Sequence, residues 1–301
     1  MKRWRAFSAA WASLASLAVL ALFFLCSAPA LAADTVLWWR APSAPDVVWR
    51  GMLATEGGAV GSGTFIGPYP VFGVAGLLVA VFTHAAISQS VQSSQRKTEQ
   101  DEADKVLAPY SADLRAWPAA DLWAAAITTT AIAANGSATS LKLWDGLTAV
   151  AEGAVVEALP QFTLAQDEGV LVLDLAVKLV PSPGAAAVES LVRVVSSPHD
   201  ATDAQAARAH WSADGSRRLK ASAAAMLAHG LHLSLRHGSP ASQDAPVRTH
   251  RYLQGNIERT ERAQLLASDC SRAVLRTLRG GVLSVPQRPA EGSPCPQQAA
   301  F

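Results

Sequence analysis

The fold class that the sequence predicts is α+β, an antiparallel sheet covered by Ala-rich helices over about residues 96–285. Three observations predict it. Leu171, Leu173, Leu175, Val177 and Leu179 alternate with Val172, Asp174, Ala176, Lys178 and Val180, the period of a strand with one face on a core. The turn-forming run Gln166-Asp167-Glu168-Gly169 separates that strand from Val155 to Ala165, which predicts an antiparallel hairpin. Long Ala-rich stretches, interrupted by Asn135-Gly136-Ser137 and by Trp211-Ser212-Ala213-Asp214-Gly215, supply the helices.

Taken in order, residues 1–32 have the build of a secretory signal: Lys2, Arg3 and Arg5, the apolar stretch Ala9 to Leu25, and the small-x-small site Ala30-Leu31-Ala32. An uncleaved anchor is the alternative. Cleavage removes Cys26 and leaves Cys270 and Cys295, an even pair that an oxidising compartment can join; two free thiols remain the other reading. Residues 33–56 form a Trp/Pro-rich segment. Trp38, Trp39 and Trp49 suit either a membrane interface or an N-terminal strand of the domain.

Residues 57–95 contain no Asp, Glu, Lys or Arg. Gly57 and Gly61, and then Gly63 and Gly67, recur at four-residue spacing, with Gly73 and Gly76 beyond them, so that a second helix can approach closely. Pro68 and Pro70 break the run, and the arm that follows is apolar and long enough to enter lipid. Over about residues 57–90 this segment resembles the glycine-zipper segments of bacterial envelope proteins. The resemblance implies membrane insertion or self-association into a homo-oligomer and brings no chemistry with it. Gly61-Ser62-Gly63-Thr64 with Thr83-His84 is also similar to segments of trypsin-like proteases, but no Gly-x-Ser-Gly nucleophile turn follows downstream.

After Arg96-Lys97 the chain becomes polar, and Val106, Leu107, Tyr110 and Leu114 give a helical stripe that Pro109 divides. The stretches Ala119 to Ala134 and Leu141 to Val156 are expected to be helical in part. Ile127 to Thr130 suits a strand equally well. Val188 to Ser197 is a further strand candidate. Ser216 to His229 is expected as an amphipathic helix closed by Gly230, and Leu231 to Arg236 alternates as a strand would. Residues 286–301 read as a disordered tail.

No stretch identifies a reaction. Asp174 is expected as a solvated or edge carboxylate. His229, His232 and His237, with His199 or His210, invite a zinc site, but the spacing is not that of a metal motif, and ordinary exposed histidines are the expectation. No cofactor is assigned. The 25 Lys and Arg nearly balance 24 Asp and Glu, so no global basic field supports nucleic-acid binding. Locally, however, Arg248, Arg251, Arg259, Arg262, Arg272, Arg276 and Arg279 outnumber Glu258, Glu261 and Asp269, and Arg272, Arg276 and Arg279 are candidates for contact with an acidic partner or lipid. The functional expectation is an exported, membrane-associated envelope protein, a non-enzymatic interaction or scaffold module with a membrane and an envelope protein as partners. An exported hydrolase with a dispersed His/carboxylate site and a transporter accessory subunit are the alternatives. The domain is expected on the periplasmic side, with a cytoplasmic-facing domain as the other topology.

Overall fold

The computed structural model describes residues 35–40, 47–52, 97–129, 132–134, 137–144, 154–182, 184–199, 201, 203–238 and 245–287. The expected signal peptide, the glycine-rich segment with Gly57, Gly61, Gly63, Gly67, Gly73 and Gly76, and the tail beyond residue 287 lie outside them.

The described residues make an α+β fold. The expected hairpin is β5 (Ala154–Ala165) and β6 (Leu171–Val180), in unbroken antiparallel register from Val155 opposite Val180 to Leu164 opposite Leu171. The strand read at Val188 follows as β7 (Val188–Val195), antiparallel to β6. Beyond it the sheet continues through β11 (Val282–Pro286), β10 (Arg272–Thr277), β9 (Ile257–Ser268) and β8 (Val247–Gln254). On the other side, β5 takes β1 (Thr35–Arg40) and then β2 (Val48–Met52) along its edge. β4 (Ser137–Trp144) and β3 (Ile132–Ala134) extend the sheet past β1.

Two expectations are corrected here. The sheet is mixed: β1 runs parallel to β4 and β5, β2 to β5, and β11 to β7. Parallel neighbours need long crossovers, and β7 and β11 have one, since a helix and three strands lie between them. The second correction is Leu141 to Val156, which supplies β4 and the start of β5 where a part-helical stretch was expected. Leu141 and Leu143 pair with Leu37 and Trp39 of β1, so pairing with a distant strand overrides the helix preference of the alanines nearby.

The helices begin with α1 (residues 97–104), a 3₁₀ turn at Lys105–Tyr110 that contains Pro109, and α2 (Ser111–Arg115). The anticipated stripe is present, since Val106, Tyr110 and Leu114 are buried. α3 (Ala119–Thr129) follows and carries Ile127 to Thr129 in helix. α4 (Ala204–His237) is the long one, capped by Asp203, which accepts from the Ala206 N–H at 2.8 Å. The turn read at Trp211 to Gly215 appears as a kink in α4 at Ala213, Asp214, Gly215 and Ser216. The last three have positive φ, and Ser216 donates to Asp113 of α2 at 2.6 Å.

Past the kink, Leu219, Ala223, Leu227 and Leu231 form one buried stripe, with Met226 and Leu233 beside it. The helix does not stop at Gly230. A Cβ there would stand 3.0 Å from Leu175 Cδ2, so glycine lets the helix approach β6, and Leu231 to Arg236 continues as helix where a strand was expected. Gly238 closes it, its N–H bonding Ser234 O at 2.7 Å. α4 thus covers the sheet face of Leu171, Leu173, Leu175, Val192 and Val194. The opposite face gathers Val172, Val195, Ala263, Leu275, Leu283 and Val285 into a second cluster, toward which Tyr252 of β8 packs.

Candidate functional site

Three polar clusters among the described residues bring together side chains capable of chemistry. The first lies at the tip of the β5–β6 hairpin. Glu168, at φ 55 in the turn, is buried to 1% exposure. Its carboxylate accepts from the Tyr110 hydroxyl and, at 3.0 Å, from Arg208 Nε of α4. Its backbone carbonyl accepts from Trp211 Nε1 at 2.7 Å and from His199 Nε2 at 2.8 Å. The Ala201 N–H approaches His199 Nδ1 at 3.3 Å, and the two bonds together select the neutral tautomer protonated at Nε2. His210 stacks on His199 with ring centroids 4.7 Å apart, and both meet Trp211 edge to face. Burial, then the hydrogen bond to Glu168 and its negative charge, push the Tyr110 hydroxyl far above its ordinary value, so it stays a proton donor to that carboxylate. Both oxygens of Glu168 are occupied, which leaves no lone acid or base for a substrate.

The second cluster lies beneath α4. Ser284 Oγ of β11 sits 3.0 Å from His229 Nε2, the separation of a serine nucleophile and its base. Yet Ser284 is fully buried, and its Oγ also accepts from Arg272 Nε at 2.9 Å. Arg272 further donates from Nη2 to Val195 O at 2.6 Å and Ser284 O at 3.1 Å. Burial, and next the Arg272 charge, lower His229 to about 4, so the imidazole is neutral. A carbonyl substrate has no approach to this serine. Burial likewise lowers Arg272, to about 10, which still leaves it charged at neutral pH.

The third cluster lies on the other sheet face. Asp174 of β6 takes a two-pronged ion pair from Arg193 of β7, at 2.6 Å to Nε and 2.8 Å to Nη2. Asp174 is therefore buried and paired, contrary to the solvated carboxylate expected. A strand pattern alone cannot tell the open face of a sheet from one over which β8 and β9 pack. Glu261 of β9 is raised by burial, against the opposing pull of Arg279 and Arg193, and Tyr252 is raised by burial nearby.

Compared with known proteins, the chain matches no family model, no curated protein and no solved structure.

Of the residues singled out from sequence, Arg272 and Arg276 are buried and turned toward α4, Arg276 donating from Nη2 to His237 O at 2.7 Å, while Arg279 is exposed. Cys270 is disulfide-bonded, and Cys295 lies outside the described residues. His199 and His210 come together; His229 and His232 do not join them. His229 is half-buried, correcting the expectation of an exposed ring, and His232 and His237 are lowered, chiefly by burial. No group of His, Cys, Asp and Glu suited to a metal occurs among the described residues, and no helix among them is long and apolar enough to cross a membrane. Glu168 was missed in sequence because its partners lie 58, 31, 40 and 43 positions away, beyond any periodic signal.

Proposed function

We propose that this chain is an exported, membrane-associated envelope protein that acts as a non-enzymatic interaction module. In this reading residues 57–95 insert or self-associate as a glycine zipper, and the α+β domain contacts another envelope component from the periplasmic side. Cys295 is the disulfide partner of Cys270. The observation that carries the reading is the closure of the three clusters among the described residues: Glu168 is held by Tyr110 and Arg208, Asp174 by Arg193, and Ser284 lies sealed under α4 with Arg272 on its Oγ.

Alkaline extraction of membranes tests the tether. The full-length chain should stay in the pellet and a deletion of 57–95 should be released; a deletion that stays behind, or a full chain that washes off, overturns it. Maleimide labelling of Asn256→Cys, at the exposed β8–β9 turn, should succeed in spheroplasts before lysis. A hydrolase remains the second reading because of the 3.0 Å Ser284–His229 pair. It gains if an active-site serine probe labels the chain and Ser284→Ala abolishes the labelling.

A further inference from the structure

The sheet ends at β8. β8 holds eight consecutive antiparallel pairs with β9, from Val247 opposite Gln264 to Gln254 opposite Ile257, without a proline or a bulge. The other end of the sheet, β3, is three residues long. An edge strand of this length leaves a row of N–H and C=O groups on its far side, which is a template for one more strand. Val247, Arg248, Thr249 and Arg251 are exposed along it.

Charge decides what can lie there. Arg251 and Arg262 share one face of the hairpin as diagonal neighbours, since Thr249 pairs with Arg262 and Arg251 with Thr260. Arg248 and Arg259 share the other face, opposite Ala263 and Tyr252. Arg251 meets Glu258 at 3.2 Å in an exposed pair, whereas Arg248, Arg259 and Arg262 have no carboxylate partner among the described residues. A second copy laid antiparallel on β8 would bring Arg248 and Arg251 close to their own counterparts, and like charges across a strand pair are destabilising. An extended acidic segment meets guanidinium groups on whichever face its carboxylates fall.

We propose that β8 is a docking edge for an extended, Asp/Glu-rich segment of another protein, which adds to the sheet as a strand and is selected by Arg248, Arg251, Arg259 and Arg262. This rests on the reading of the domain as an interaction module, and it names that module's surface and the chemistry of its partner. It does not depend on the membrane tether.

The test uses the full-length chain in detergent and a labelled synthetic peptide that alternates Glu and Val, followed by fluorescence anisotropy. The peptide should bind, should bind more weakly as salt rises, and should protect the β8 amides from hydrogen exchange. Arg248→Glu/Arg251→Glu should weaken it by about tenfold or more, while Arg115→Glu, a charge reversal at an exposed residue of α2, should leave it unchanged. A peptide with Lys in place of Glu, and a Glu/Val peptide N-methylated at alternate amides, should both fail. Equal binding by the N-methylated peptide would reduce the edge to simple charge attraction and overturn the proposal. So would no binding by the Glu/Val peptide to a chain with native circular dichroism, or β8-dependent self-association of the chain. Loss of membrane retention alongside intact peptide binding would sink the tether and leave the edge standing.

Discussion

Two hairpins in this domain meet turn against turn, Gly255 of β8–β9 resting on Val170 and Gly169 of β5–β6, and they treat charge in opposite ways. Each is antiparallel and includes a 12-residue strand, and each turns on a residue with positive φ, Glu168 in one and Gly255 in the other. In β5–β6, Glu168 at the tip and Asp174 along the strand are buried and matched by arginines. In β8–β9, Arg248, Arg251 and Arg262 are exposed, and two of them, Arg248 and Arg262, have no carboxylate partner among the described residues. Local structure is thus not what distinguishes them. A hairpin with a layer on each side must have its charges paired by neighbours, whereas one at the margin of the sheet keeps them hydrated and available.

The largest effect that would break the contrast is Glu168→Ala. It strips the acceptor from buried Tyr110 and from Arg208, and should lower the unfolding free energy by about 4 kcal/mol in urea titrations. A loss under 1 kcal/mol would mean that the clasp is not what holds the tip. Acid comes next. His229, in the helix that covers β5–β6, is depressed by burial and by Arg272 from 6.5 to about 4. Unfolding restores its ordinary value, so between those pH values the unfolded chain binds the extra proton. Its contribution is complete above pH 6.5, fades as pH falls through the window, and is gone below about 4. The predicted loss is about 3 kcal/mol, and His229→Gln should flatten the profile; an unchanged slope would exclude this imidazole as its source. The smallest effect belongs to the outer hairpin. Arg262→Ala should alter stability by less than about 0.5 kcal/mol, and a larger loss in thermal melts would show that this arginine supports the fold as the inner ones do.

How much was legible follows the same division. The β5–β6 hairpin, β7, and the Val106, Tyr110 and Leu114 stripe were readable because each obeys a local period on a single element. Leu231 to Arg236 misled because Leu231, Leu233 and Leu235 satisfy a period of two, while the packing that counts puts Leu231 on the helix face of Leu227, and Leu233 on that of Met226, in one core cluster. Gly230 looked like a terminator and is a point of close approach, a distinction that exists only once β6 lies opposite. Parallel pairing left no mark of its own. The polar clusters were illegible for a stronger reason: Glu168, Asp174 and Ser284 become special through partners brought in from distant helices, loops and strands, as Arg272 and His229 are for Ser284.

The parallel pairing of β7 with β11 sets Val192 beside Val282, roughly ninety positions later in the chain. A nascent polypeptide has β5, β6 and β7 in hand long before the strand that shields the free side of β7 has been made. At about 5–20 residues per second that interval lasts several seconds. Throughout it Val192 and Val194 lie on an unpaired edge that invites wrong pairing. The last strand is therefore also a timer. Anything that shortens the chain before Pro286 should leave a molecule that sticks to its neighbours, with most of its hairpins made and its sheet unfinished.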